Sequence, residues 1–114
     1  MELGYTELNN GIGLIKLGGK LDIIGTGEIE IKFAGYCSGD KVRMIVDLSE
    51  VNYLASIGIR LLILTAKSVV SRGGKLVLLN PRPEVLEVLE ITGVPAIIPI
   101  YSQIESAETV LLAA

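Results

Sequence analysis

Few side chains in this sequence could take part in covalent chemistry. Cys37 is the only cysteine, and the chain contains no histidine. Zinc sites built from these residues, Ser-His-Asp hydrolases and Cys-His hydrolases are therefore excluded, and we expect no metal and no cofactor. Ser56 stands at the start of a predicted helix, but no candidate base accompanies it, so an enzyme with a serine nucleophile is not expected.

Two polar residues, Asp22 and Ser56, are expected to lie at the same edge of a sheet. Each follows the end of a predicted strand, where parallel sheets gather their functional loops. Each also has a purely structural interpretation: Ser56 as the N-cap of its helix, its hydroxyl accepting a hydrogen bond from a first-turn amide, and Asp22 as a turn-capping carboxylate. Asp47 and Ser49 are expected to stabilise the loop before Ser56.

The composition limits the class of protein. With 114 residues the chain has the length of one domain, which we place at residues 1–114. Half of the residues are hydrophobic but only 4% are aromatic, which predicts a core filled by aliphatic side chains. The net charge is −3 and no basic run could follow a phosphate backbone, so we do not expect a nucleic-acid partner.

The apolar stretches are too short to predict membrane insertion. The run from Arg60 to Lys67 falls far short of the roughly 20 residues of a bilayer-spanning helix. The segment from Met1 to Tyr5 has no basic region followed by an apolar core, so no signal peptide is predicted. We therefore expect a cytoplasmic protein.

Hydrophobic periodicity and turn signals predict strands that alternate with helices. Asn9-Asn10-Gly11 is typical of a hairpin turn, whereas Gly18-Gly19 is expected to end the second strand. Ser102 and Glu105 form a predicted capping box for the last helix. The predicted strands are 3–8, 12–17, 42–48, 75–79 and 96–100, the predicted helices are 25–35, 56–72, 83–91 and one from about residue 102, and 49–55 is a predicted connection.

This order of elements predicts an α/β fold. Each strand-helix-strand crossover normally places its two strands parallel in one sheet, with a right-handed connection. We therefore expect a mixed sheet, made of an N-terminal hairpin strand plus mostly parallel strands, packed with about four helices.

The segment 45–60, Ile-Val-Asp-Leu-Ser-Glu-Val-Asn-Tyr-Leu-Ala-Ser-Ile-Gly-Ile-Arg, resembles the signature of STAS domains. These domains occur in anti-sigma factor antagonists and in the cytoplasmic tails of sulfate transporters. In that family a strand ending in Asp-Leu-Ser leads into a serine-containing turn, and then Gly and an aliphatic residue open a helix. Residues 17–22, Leu-Gly-Gly-Lys-Leu-Asp, look like the family's early Gly-x-Leu-Asp element, and agreement at 72–78, 85–93 and 98–101 extends the resemblance over nearly the whole chain.

The resemblance implies a STAS-like single domain that acts as a non-enzymatic switch. It implies that the unmodified protein binds an anti-sigma factor serine kinase and thereby frees a sigma factor, and that phosphorylation of the serine aligning with Ser56 releases the kinase. Asp22 matches an acidic residue that helps to bind the kinase. The expected partner-binding residues are Asp22, Leu54, Ala55, Ser56, Ile57 and Gly58.

One alternative remains open at this point: a constitutive STAS scaffold or accessory subunit of a signalling or transport complex, in which Ser56 is never modified. Many phosphorylated antagonists have Asp just before the serine and Ser or Thr just after it, whereas this chain has Ala55 and Ile57. In either case we expect a monomer or a weak homodimer.

Overall fold

In the computed structural model, which describes residues 1–113, five strands form one sheet in the order β1-β2-β3-β4-β5. The strands are β1 (Glu2–Glu7), β2 (Gly13–Leu21), β3 (Arg43–Leu54), β4 (Lys75–Leu79) and β5 (Ile100–Tyr101). The helices are α1 (Ile23–Tyr36), α2 (Ser56–Ser71), α3 (Pro83–Ile91) and α4 (Ile104–Leu112), with a short 3₁₀ turn at Val94–Ala96. Because β1 is antiparallel to β2 and all other neighbours are parallel, the predicted mixed α/β fold is confirmed.

Aliphatic side chains cover both faces of the sheet. On one face, Met44 and Val46 of β3 join the larger core cluster, which includes Phe33 of α1 and Leu62 of α2. On the other face, Ile45 packs in a smaller cluster with residues of α4. Alternation along β3 thus makes this strand the buried centre of a sheet covered on both sides. None of the helices in residues 1–113 is long and apolar enough to cross a bilayer.

Strand β2 is longer than predicted. Gly18-Gly19 was expected to end it, but the strand continues to Leu21. Its register against β3 shifts between Lys16 and Gly18 and again between Gly19 and Lys20, and Gly19 has a φ of +106°. The glycine pair therefore lies in an irregularity of the strand pairing that does not end the strand, and the extra residues bring the chain to Asp22.

Strand β3 also extends beyond its predicted end. The polar stretch predicted as a connection, 49–55, is extended up to Leu54, because it pairs with the unexpected continuation of β2. Asp47 accepts a hydrogen bond from the Ser49 amide at 2.9 Å, and Arg82 donates one to the Ser49 carbonyl at 2.9 Å. These contacts confirm that Asp47 stabilises the backbone here, although that backbone is a strand.

The helix ends show where propensity rules succeed and fail. Helix α3 and strand β4 begin and end at the predicted residues. Ser102 does not cap α4: the N-cap is Gln103, which makes no side-chain capping bond, so the predicted capping box is wrong.

The predicted last strand is mostly absent, since Gly93 with a φ of +78° leads into the 3₁₀ turn and only Ile100–Tyr101 pair with β4.

Candidate functional site

The carboxyl ends of β2 and β3 are tied together by the backbone. The Ala55 amide donates to the Leu21 carbonyl at 3.0 Å, and Leu21 is the register partner of Leu54. Asp22 and Ser56 each follow one residue of this hydrogen-bonded pair. The structure therefore brings the first turns of α1 and α2 to one edge of the sheet, and we call Asp22 with residues 55–57 the apex.

Two glycines permit the close approach of helices and strands at the apex. A Cβ atom on Gly58 would lie 2.9 Å from both the Cβ and the carbonyl oxygen of Leu21. A Cβ atom on Gly25 would lie 1.9 Å from the Lys20 carbonyl oxygen. Only a residue without a side chain fits at either position, so these glycines fix where both helices start.

Asp22 is the N-cap of α1. Its Oδ1 accepts a hydrogen bond from the Gly25 amide at 2.8 Å, which is the usual role of aspartate at this position. The capping interpretation of Asp22 is thus confirmed. It also explains why α1 begins at Ile23, earlier than the predicted start at residue 25.

Ser56 is the first residue of α2 and is exposed. The N-cap is Ala55, whose extended backbone is held by the hydrogen bond to Leu21, and no side chain caps the helix. The prediction that Ser56 is the N-cap is therefore wrong by one residue. Its hydroxyl takes no part in capping, and it stands beside first-turn amides that have no partner within the helix.

The residues around Ser56 differ in exposure: some lie on the surface and others are buried. Ile57 is 39% exposed, whereas Leu54 and Ile59 are buried and Gly58 packs against β2. Leu54 fills the core and Gly58 permits close packing, and the contact of these two residues with a partner stays a prediction.

Two exposed isoleucines next to the apex were missed by the sequence analysis. Ile23 and Ile24, in the first turn of α1, are 74% and 75% exposed. Ile29 and Phe33 lie on the buried face of this helix, and the helical period places Ile24 outside that face. The apex thus offers more apolar surface than the signature segment alone predicted.

Cys37 lies away from the apex, at the C-terminal end of α1. Burial raises the pKa of its thiol to about 11, and the nearby Arg72 guanidinium only partly offsets this. A thiol with such a pKa stays protonated and unreactive at neutral pH. Across residues 1–113, no group of three or more His, Cys, Asp or Glu side chains could hold a metal ion.

Comparisons with known proteins agree with this architecture. The family model of the STAS domain matches residues 6–107. The chain is 31% identical over 98 residues to BtrV of Bordetella bronchiseptica, a candidate anti-sigma factor antagonist, and the match covers 86% of this chain and 84% of that protein.

Solved structures show the same fold. An anti-sigma factor antagonist from Mycobacterium paratuberculosis superposes with a TM-score of 0.85 at 20% identity, covering 98% of this chain and 94% of that one. The Bacillus cell fate determinant SpoIIAA in its phosphorylated form superposes with a TM-score of 0.70 at 20% identity, covering 96% of this chain and 99% of that one. This protein therefore belongs to the STAS domain family, as a relative of anti-sigma factor antagonists, which are regulatory binding proteins and not enzymes.

Proposed function

We propose that this protein is an anti-sigma factor antagonist that binds an anti-sigma factor kinase through the apex and is released when Ser56 is phosphorylated. The observation that carries the proposal is the exposed hydroxyl of Ser56 at the start of α2, at the sheet edge where Asp22 also lies. The relatives support it, because BtrV is a candidate antagonist and SpoIIAA has a phosphorylated form. The protein would act in the cytoplasm, where sigma factors work.

A phosphate on Ser56 is compatible with the fold. It adds roughly −1.5 to −2 charges at the positive end of the helix dipole. Anions at this end of a helix are stabilised by about 0.3–1 kcal/mol. Because the Ser56 hydroxyl makes no capping bond, phosphorylation also breaks no existing contact of the helix. The domain therefore stays folded in both states.

The same phosphate opposes a docked partner. Against an apolar or acidic surface the dianion loses water without gaining a partner, and buried unpaired charge is costly. A loss of roughly a hundredfold in affinity corresponds to about 2.7 kcal/mol, a modest cost for such a charge. The switch thus releases its partner without rearranging the domain.

The test is a binding measurement with the purified anti-sigma factor kinase of the same host. Ser56→Glu is expected to weaken binding at least about tenfold, whereas Ser56→Ala should bind like the unmodified protein. Ser106→Glu is the matched control, since Ser106 is exposed on α4, which covers the opposite face of the sheet. Equal affinity of all four proteins would contradict the switch.

A second candidate function is a constitutive scaffold in which Ser56 is never modified. Ala55 and the exposed Ile57 favour it, because they replace the polar neighbours found beside the serine in many phosphorylated antagonists. In that case Ser56→Glu would still weaken the complex, but the kinase of the host would leave Ser56 unmodified in the presence of ATP. Incubation with ATP followed by mass measurement separates the two functions.

A further inference from the structure

A groove of about 500 Å³ runs between α1 and α2, starting at Ser56 and continuing away from the apex. Thr26 and Glu30 of α1 line one side, and four further residues of α2 line the other. Both helices begin at the same sheet edge and return along the same face of the sheet, so the groove lies between two roughly parallel helices.

The α2 side of the groove is an apolar stripe. Ile57, Leu61 and Leu64 are spaced by four and three residues, so they lie on one face of the helix. Ile57 is 39% and Leu64 is 53% exposed. The stripe spans about 10 Å, or two helical turns, which is the length that anchors at i, i+4 and i+7 of a docked amphipathic helix would cover.

Opposite charges flank this stripe. Glu30 stands on the α1 side and Arg60 on the α2 side. Among the ion pairs of residues 1–113, neither side chain has an oppositely charged group within 4.0 Å. An occupant with a basic side chain towards α1 and an acidic one towards α2 would pair both charges, and the wrong orientation would place like charges together.

An unpartnered hydroxyl lies at the α1 side of the groove. Thr26 is 2% exposed, and its Oγ1 has no hydrogen-bond partner. Thr109 in α4 and Thr92 at the C-cap of α3 behave differently, since each donates to the carbonyl four residues back, at 2.8 and 2.7 Å. Buried polar groups are rarely left unpaired, so this hydroxyl calls for an explanation.

From these three features we propose that the groove binds an amphipathic helix of a partner protein. Its apolar stripe would pack on Ile57, Leu61 and Leu64, a basic residue would face Glu30, and an acidic residue would face Arg60. A rotation of the Thr26 side chain would then give its hydroxyl an acceptor on the bound helix. The groove shares Ser56 and Ile57 with the apex, so the inference deepens the proposed function by naming the partner element that docks, and a phosphate on Ser56 would weaken this docking too. Binding of the helix to the unmodified protein does not require that Ser56 is ever phosphorylated.

The test uses two synthetic helical peptides as probes, titrated into the isotope-labelled full chain and followed by NMR. Both carry leucines at i, i+4 and i+7, and they differ only in an exchange of the flanking Lys and Glu. We expect shift changes at Thr26, Glu30, Leu61 and Leu64. The peptide that places its Lys towards Glu30 and its Glu towards Arg60 should bind more tightly. The charge reversal of Glu30→Lys with Arg60→Glu should invert this preference.

Two further variants distinguish specific docking in the groove from nonspecific hydrophobic binding. Leu64→Glu should weaken the preferred peptide at least about tenfold, whereas Val70→Glu, on an exposed position of α2 outside the groove, should not. Thr26→Val removes the hydroxyl at nearly constant shape, so it should weaken peptide binding while raising the melting temperature of the free protein.

Three results would overturn the proposal. The first is a set of shift changes that map outside the groove. The second is an equal loss of affinity in Leu64→Glu and Val70→Glu. The third is a concentration-dependent dimer in sedimentation that Leu64→Glu dissociates, which would assign the groove to a second copy of this chain.

Discussion

At the scale of single residues, the N-cap of α2 is the most informative position. Ala55 occupies it with a methyl group, and its backbone is extended, with φ −94° and ψ 168°. This extended conformation suits a Ser side chain that accepts a first-turn amide. Ala55→Ser should therefore raise the free energy of unfolding by about 1 kcal/mol, measured by urea denaturation.

Ala34→Ser serves as the control for this change, because Ala34 is exposed within α1 and a serine there can cap nothing at the helix start. It should lower stability slightly, owing to the lower helix propensity of serine. Since Ser56 is not the cap, Ser56→Ala should change stability by less than about 0.5 kcal/mol. A rise in stability of similar size in Ala34→Ser would show that capping is not the cause.

The sequence pattern located Asp22 and Ser56 at the same edge of the sheet, but its structural interpretation of Ser56 as the N-cap of α2 was wrong by one residue. Serine is a preferred N-cap, and this preference alone selected it. The helix start is set instead by tertiary contacts, namely the bond from the Ala55 amide to Leu21 and the close packing of Gly58. Such contacts join residues far apart in sequence, so local propensity cannot reveal them.

At the scale of elements, Gly58 controls how closely α2 approaches β2. Gly58→Ala would place a methyl group 2.9 Å from the Leu21 carbonyl oxygen, which forces backbone to move. We expect a loss of about 1–3 kcal/mol in the free energy of unfolding. Gly27→Ala is the matched control in α1, where a Cβ meets nothing within 4 Å, and it should gain up to about 1 kcal/mol.

The measurement is the urea midpoint of both variants, and a loss of stability in both would contradict the packing argument. The two substitutions are chemically identical and both lie within helices. Opposite signs would therefore isolate the close approach at the apex from helix propensity.

Element boundaries were predictable where glycine and proline residues next to the element mark its ends. Gly73-Gly74, Asn80-Pro81 and Pro83 bound β4 and α3 at the predicted residues. The ends of β2 and β3 were not predictable, because Gly18-Gly19 and the polar stretch after Leu48 each look like a break. They are strands because they pair with each other, as Gly18 does with Glu50.

At the scale of the whole molecule, the two faces of the sheet have different roles. Helix α4 covers the face with the smaller core cluster. Helices α1 and α2, which carry the apex and the groove, cover the face with the larger core cluster. The order of elements predicted the mixed sheet. It could not predict which apolar residues, such as Ile23 and Leu64, stay exposed, since exposure depends on how α1 and α2 sit against each other.

The measurement that tests the central claim most directly is intact-mass spectrometry of the protein isolated from its own host, with peptide mapping around Ser56. We predict an added phosphate that maps to Ser56 in a fraction of the molecules, and a fraction that changes between growth and stress. Absence of phosphate from Ser56 under every condition would contradict the switch and leave the constitutive scaffold as the function.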